Sequence, residues 1–169
     1  MGLCYTDKIS VKPYVAEFLK KELGEDMFLK RGHIIYYVYM SLAVKKIKRY
    51  DLRINISEKG FLKNMPLVDI KFAITRDFML NYGFTLTDTC HVIFRNFLEE
   101  HAKTYINVGY LATKEMDDNV MLKDQVDIIR QFTGISEDTY SRDSIEKHIY
   151  RHFRKPQIQP NQLALFNNG

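Results

Sequence analysis

The sequence predicts an α+β domain that is mostly helical, with about five to six helices, one antiparallel β-hairpin and a flexible C-terminal tail. Three observations predict it. Apolar residues recur at helical spacing through most of the chain, the period changes to two only between residues 51 and 74, and the composition turns polar beyond Pro156. The 169 residues are 46% hydrophobic and 13% aromatic, which suits one core of ordinary size and excludes a disordered or fibrous chain. The expected organisation is a single globular domain over residues 1–155 and a tail over 156–169.

In "SVKPYVAEFLKKELG", Pro13 marks a helix start, and Tyr14, Phe18 and Val15, Leu19, Leu23 form its stripe. Gly24 marks its stop, so the first helix is expected over 12–23. Residues 33–50 repeat the pattern with Ile34, Val38, Leu42 and Ile35, Tyr39, and end in "KKIKRY", whose cations suit the negative end of a helix dipole. Leu52, Ile54 and Ile56 then alternate with polar residues, as do Val68, Ile70, Phe72 and Ile74, and the two runs read as a hairpin. "TRDFMLNYG" predicts a short helical turn stopped by Gly83, with Thr85 or Thr87 capping the next helix. Phe94, Phe97, Leu98, His101, Tyr105, Val108 and Ala112 mark that long helix over 88–112, the expected spine of the core. Asp117 and Asp118 are expected caps for a helix with the stripe Leu122, Val126, Ile129 and a stop at Gly134. Ser141 is the expected cap of the last helix, with Ile145, Ile149 and Phe153 buried and Pro156 as terminator.

Charge excludes little. Lys and Arg total 25 against 21 Asp and Glu, a mild surplus that does not choose between a nucleic-acid and an acidic-protein partner. Cys4 and Cys90 form no C-x-x-C pair, so reduced thiols and a cytoplasmic location are expected. The longest apolar run, "HIIYYVYMSLAV", is too short and too rich in tyrosine to cross a bilayer, and no membrane association is expected.

The end of the chain, "NQLALFNNG", resembles the sliding-clamp-binding motif of bacterial replication proteins, a Gln-Leu, a tolerant position and a Leu-Phe. The resemblance implies that Gln162 hydrogen-bonds at the edge of the clamp's groove, that Leu165 and Phe166 fill its apolar pocket and that Leu163 adds contact. Ala164 departs from the commoner Ser or Asp at the tolerant position. Independently, apolar side chains in a polar tail suit a peptide that anchors in a partner's pocket. The alternative is that they pack on their own domain.

"VDIIRQFTGISEDTYSRDSIEKHIYRHFRK" looks like two helices joined at a turn, the start of a helix-turn-helix. Lys147, His148, Arg151, Arg154 and Lys155, with His152, occupy the faces left by the apolar stripe and could neutralise DNA phosphates. The connection is longer than the usual tight turn, and Asp143 and Glu146 sit near the end that would meet base edges, which favours phosphate contact over sequence reading.

Asp69-x-Lys71, with Asp51 and with Glu17 or Glu22, is similar to the metal-dependent nuclease pattern in which carboxylates hold Mg²⁺ and a lysine positions water. Alternating charges on a solvent face produce the same pattern. His148 and His152 have metal-compatible spacing but lack a third ligand, so no metal site, catalytic residue or cofactor is expected. His148-x-x-Arg151 is similar to a fragment of tyrosine recombinases, but no tyrosine nucleophile follows it. Tyr36, Tyr37 and Tyr39 are expected to cover the second helix rather than to stack bases. "VKPYVAEFL", "NYGFTLT" and "DSIEKHIYR" are similar to small uncharacterised proteins of bacterial mobile elements, a resemblance that implies no activity.

The expected function is a non-enzymatic, DNA-proximal accessory protein of replication or mobile-element maintenance, with the bacterial sliding clamp and DNA as partners. The alternatives are a helix-turn-helix transcriptional regulator, a Mg-dependent nuclease using Asp51, Asp69 and Lys71, and a purely structural interaction protein.

Overall fold

The computed structural model describes residues 3–43, 66–76, 85–116 and 120–153. In chain order these carry β1 (Leu3–Tyr5), β2 (Ile9–Val11), α1 (Pro13–Leu23), α2 (Ile34–Leu42), β3 (Val68–Ile70), β4 (Ala73–Thr75), α3 (Asp88–Met116), α4 (Leu122–Thr133) and α5 (Arg142–Phe153). The architecture is α+β and mostly helical, as the apolar periodicity predicts.

The strand predicted over 68–74 forms, but its partner is the N-terminal segment, to which periodicity assigns nothing. Cys4 lies opposite Ile74 and Ser10 opposite Asp69, in two short antiparallel pairs, β1 with β4 and β2 with β3. Between the pairs, Thr6, Asp7 and Lys8 face only Lys71 and Phe72, so one extra residue bulges from the N-terminal side. Thr6 closes the gap: its N–H donates to Phe72 O at 3.0 Å, and its hydroxyl accepts from Phe72 N at 3.0 Å in place of a ladder carbonyl. Phe28 pairs with Ala73 in parallel on the other edge. The predicted first hairpin strand at 52–56, residues 44–50 of the second helix, most of the 75–83 turn and the Asp117 and Asp118 caps lie outside the described residues.

α3 is the spine, and it changes partners along its length. Its first half meets α1, α2 and β2, while α4 packs most extensively against it and α5 also touches it. Phe94 sits edge-on to Tyr39 at 5.4 Å and to Phe72 at 5.8 Å between ring centroids, which joins helix and strand layers into one core. The buried stripe runs through Phe94, Leu98, Ala102, Ile106, Gly109 and Thr113. The expected stripe differs in its second half, because Val108 and Ala112 are exposed. Along that second half α5 also covers the helix, with Tyr110 against Phe153 and Asn107 bonded to His148, so burial there extends to a side that the spacing from Phe94 does not mark. At the α4 crossing a Cβ on Gly109 would come within 3.2 Å of Ile129 Cγ1, so glycine lets the helices approach closely.

The helix boundaries have local causes. Pro13 opens α1, His33 caps α2 by accepting from Ile35 N at 3.2 Å, and the Ser141 hydroxyl accepts from Ser144 N at 3.3 Å at the head of α5. α4 ends at Gly134 in the left-handed region, φ 73°. There a Cβ would approach Lys21 Cβ to 2.8 Å, so glycine is required twice over. Among the described residues no helix is long and apolar enough to cross a membrane.

Candidate functional site

α5 buries Ile145 and Ile149 and leaves the opposite face to solvent. Lys147 and Arg151 stand one turn apart on that face, with exposed Tyr150 beside them, and neither cation has a side-chain hydrogen-bond or ion-pair partner among the described residues. The histidines of the predicted row differ. His148 is half-buried, stacks on His152 with ring centroids 6.1 Å apart, and its Nε2 donates to Asn107 Oδ1 on α3 at 2.9 Å. Burial, assisted by Lys103 and His152, lowers its pKa from 6.5, so the ring is neutral at pH 7 and adds no charge to the face. Arg154 and Lys155 lie outside the described residues, as do Gln162, Leu163, Leu165 and Phe166 of the tail.

The connection between α4 and α5, where a helix-turn-helix would bend, is held from three sides. Glu17 of α1 accepts from Ser136 N at 2.7 Å, from the Ser136 hydroxyl at 2.9 Å and from the Thr139 hydroxyl at 2.5 Å. Burial raises the Glu17 pKa, but these donors and Arg130 outweigh it and hold the carboxyl below its ordinary range. Arg130 reaches Ile135 O at 3.1 Å and Tyr140 O at 2.7 Å and pairs with Glu137. Arg142, at the head of α5, is tied to Asp127 at 2.8 Å, and Asp143 comes next in the chain. The end of α5 that would meet base edges therefore has its one arginine engaged and a carboxylate in front, while the cations without a described partner lie further along.

A second polar cluster is interior. Glu22 Oε1 accepts from His101 Nε2 at 2.9 Å and lies 3.1 Å from His33 Nε2, with the Glu22 side chain only 10% exposed. His33 accepts a backbone N–H on Nδ1, so its proton is on Nε2, facing Glu22. Ligating a metal through Nε2 would cost that cap, because a neutral ring has only one free lone pair. Phe97 stacks on His101 at 5.6 Å, Tyr105 meets it edge-on at 5.2 Å, and burial together with the Glu22 charge raises the Tyr105 pKa. Glu22 thus pins the end of α1, the head of α2 and the middle of α3.

Of the nuclease pattern, Asp69 and Lys71 lie among the described residues and Asp51 does not. Asp69 accepts from Ser10 at 2.8 Å and pairs with Lys8 at 3.4 Å, and these partners lower its pKa. Lys71 lines the same cleft as Asp69 and Glu17. Glu17 is spent on the α4–α5 connection and Glu22 on the histidines, while Asp51 lies outside the described residues. No group of three or more His, Cys, Asp or Glu among the described residues is placed to hold a metal ion. Sequence reasoning missed Asn107, the partner of His148, and the Glu22 cluster. Nothing local pairs positions 107 and 148, although the helical spacing of 97, 101 and 105 foretells one ring-bearing face.

No protein-family model matches the chain, and no curated protein or solved structure matches it significantly.

Proposed function

We propose that this protein is a non-enzymatic, DNA-proximal accessory factor of replication or element maintenance, tethered to a bacterial sliding clamp by Gln162, Leu163, Leu165 and Phe166. The observation that carries its DNA-proximal part is the pair of cations without a described partner, Lys147 and Arg151, on the outer face of the last helix. Such a pair is suited to two phosphates, contacts that carry no sequence information. The tail comes directly after this same helix in the chain, so a docked peptide would hold the cations near DNA threaded through the clamp. Tethering raises local concentration into the millimolar range for a short linker, roughly enough to make weak phosphate contacts count.

The test is binding of purified bacterial clamp by the full chain, by Leu165→Ala/Phe166→Ala and by a chain lacking residues 160–169. The reading expects binding by the first and its loss in both others, with unchanged thermal unfolding. Equal binding by all three removes the tail as the docking peptide, and binding by none removes the clamp as partner.

A further inference from the structure

We propose that His148 is a proton-operated third phosphate contact of α5, added to Lys147 and Arg151 in mild acid. The inference rests on the phosphate role given above to those two cations and supplies its regulation. His148 lies three residues before Arg151, the helical spacing at which side chains are neighbours. Its ring is held in place from α3 and from its own helix. Nε2 donates to Asn107 Oδ1 at 2.9 Å, and the His152 ring lies nearly parallel, 11° between planes with centroids 6.1 Å apart. Because Nε2 already carries the proton of the neutral ring, a second proton goes to Nδ1 and leaves the bond to Asn107 intact. Protonation therefore adds a charge at a fixed position without unpacking the helix. His152 does not share the role, since its spacings of five from Lys147 and one from Arg151 put it off their face.

The charges around the ring decide when it acts. Burial is the first cause of its lowered pKa, Lys103 of α3 and His152 and Arg151 of α5 add repulsion, and Glu100 of α3 offsets part of it. On α4, Asp127 is paired with Arg142 and Arg130 with Glu137. The free protein therefore lacks this charge at pH 7.5 and gains it only as pH falls below 6.5. A phosphate beside Arg151 acts the other way, because a nearby anion favours the charged ring. DNA binding and proton uptake thus promote each other, and the phosphodiester itself stays ionised throughout.

The test is binding of the full-length protein to a short DNA duplex of arbitrary sequence, in salt series at pH 7.5 and pH 5.0. At fixed salt the affinity should rise roughly threefold or more at the lower pH, and the slope of log K against log salt should steepen by about 0.9, one added phosphate contact. His148→Gln, which keeps an N–H donor for Asn107, should show neither change. His152→Gln should show both, with the rise beginning at higher pH because one source of repulsion is gone. An equal rise in His148→Gln would overturn the proposal, and so would its loss in His152→Gln, which would give the charge to the exposed ring. Binding with the same affinity and slope at both pH values would overturn it while leaving the phosphate role of Lys147 and Arg151 standing. Absence of binding at either pH would remove both.

Discussion

His101 and Lys147 each place a nitrogen base on a helix, and their surroundings make opposite use of it. His101 is enclosed by Phe18, Phe97 and Tyr105 and bonded to a carboxylate that also holds His33. Lys147, like Arg151, stands in solvent with no described partner. Desolvated polar groups must be paired, so the inner cluster is committed to joining α1, α2 and α3. An exposed cation gains little from the fold and keeps its charge for a partner. The difference separates residues that build this molecule from those available for contact, and four variants probe that separation.

The largest effect belongs to the spine. Phe94→Ala should cost about 3–5 kcal/mol, because the ring is fully buried between the α2 and β-strand layers. Urea unfolding measures it, and a loss under about 1 kcal/mol would mean that the layers are not joined there.

Glu17→Gln comes next, at about 2 kcal/mol, since a charged acceptor of three hydrogen bonds is weakened at the α4–α5 connection. Its pH dependence has a definite sign. The folded pKa lies below 4.5, so the stability Glu17 supplies is present above the unfolded value and is lost as pH falls through the folded one. The urea midpoint of the natural protein should therefore drop below pH 4.5 more steeply than that of Glu17→Gln, and parallel curves would contradict the role. Gly134→Ala should cost about 1–2 kcal/mol by imposing a left-handed φ on a residue with a side chain, and by pressing on Lys21. Circular dichroism melting reads that loss.

Much of this division was legible in the sequence. Pro13, Ser141 and Gly134 mark boundaries through local chemistry, and Phe94, Leu98, Val126, Ile145 and Ile149 announce buried faces by period alone. Sequence reasoning failed where the cause is remote. Leu3–Tyr5 and Ile9–Val11 are too short for any period, and their strand character comes from pairing with residues some sixty positions away. Val108 carries the right period yet lies exposed, because the partners of the second half of α3, α5 among them, cover another side. Glu17 and Glu22 suit a metal-ligand reading in the sequence, and only the folded chain shows that hydroxyls and imidazoles claim them.

The smallest effect on stability and the most direct test of the central claim coincide in Lys147→Ala/Arg151→Ala. Thermal unfolding should change by no more than about 0.5 kcal/mol, because neither side chain holds a described residue in place. The measurement is binding to a short DNA duplex of arbitrary sequence across a salt series. Weaker binding is expected, with a slope of log K against log salt shallower by about 1.8, the loss of two phosphate contacts. An unchanged affinity and slope would contradict it, and would leave Lys147 and Arg151 as ordinary surface.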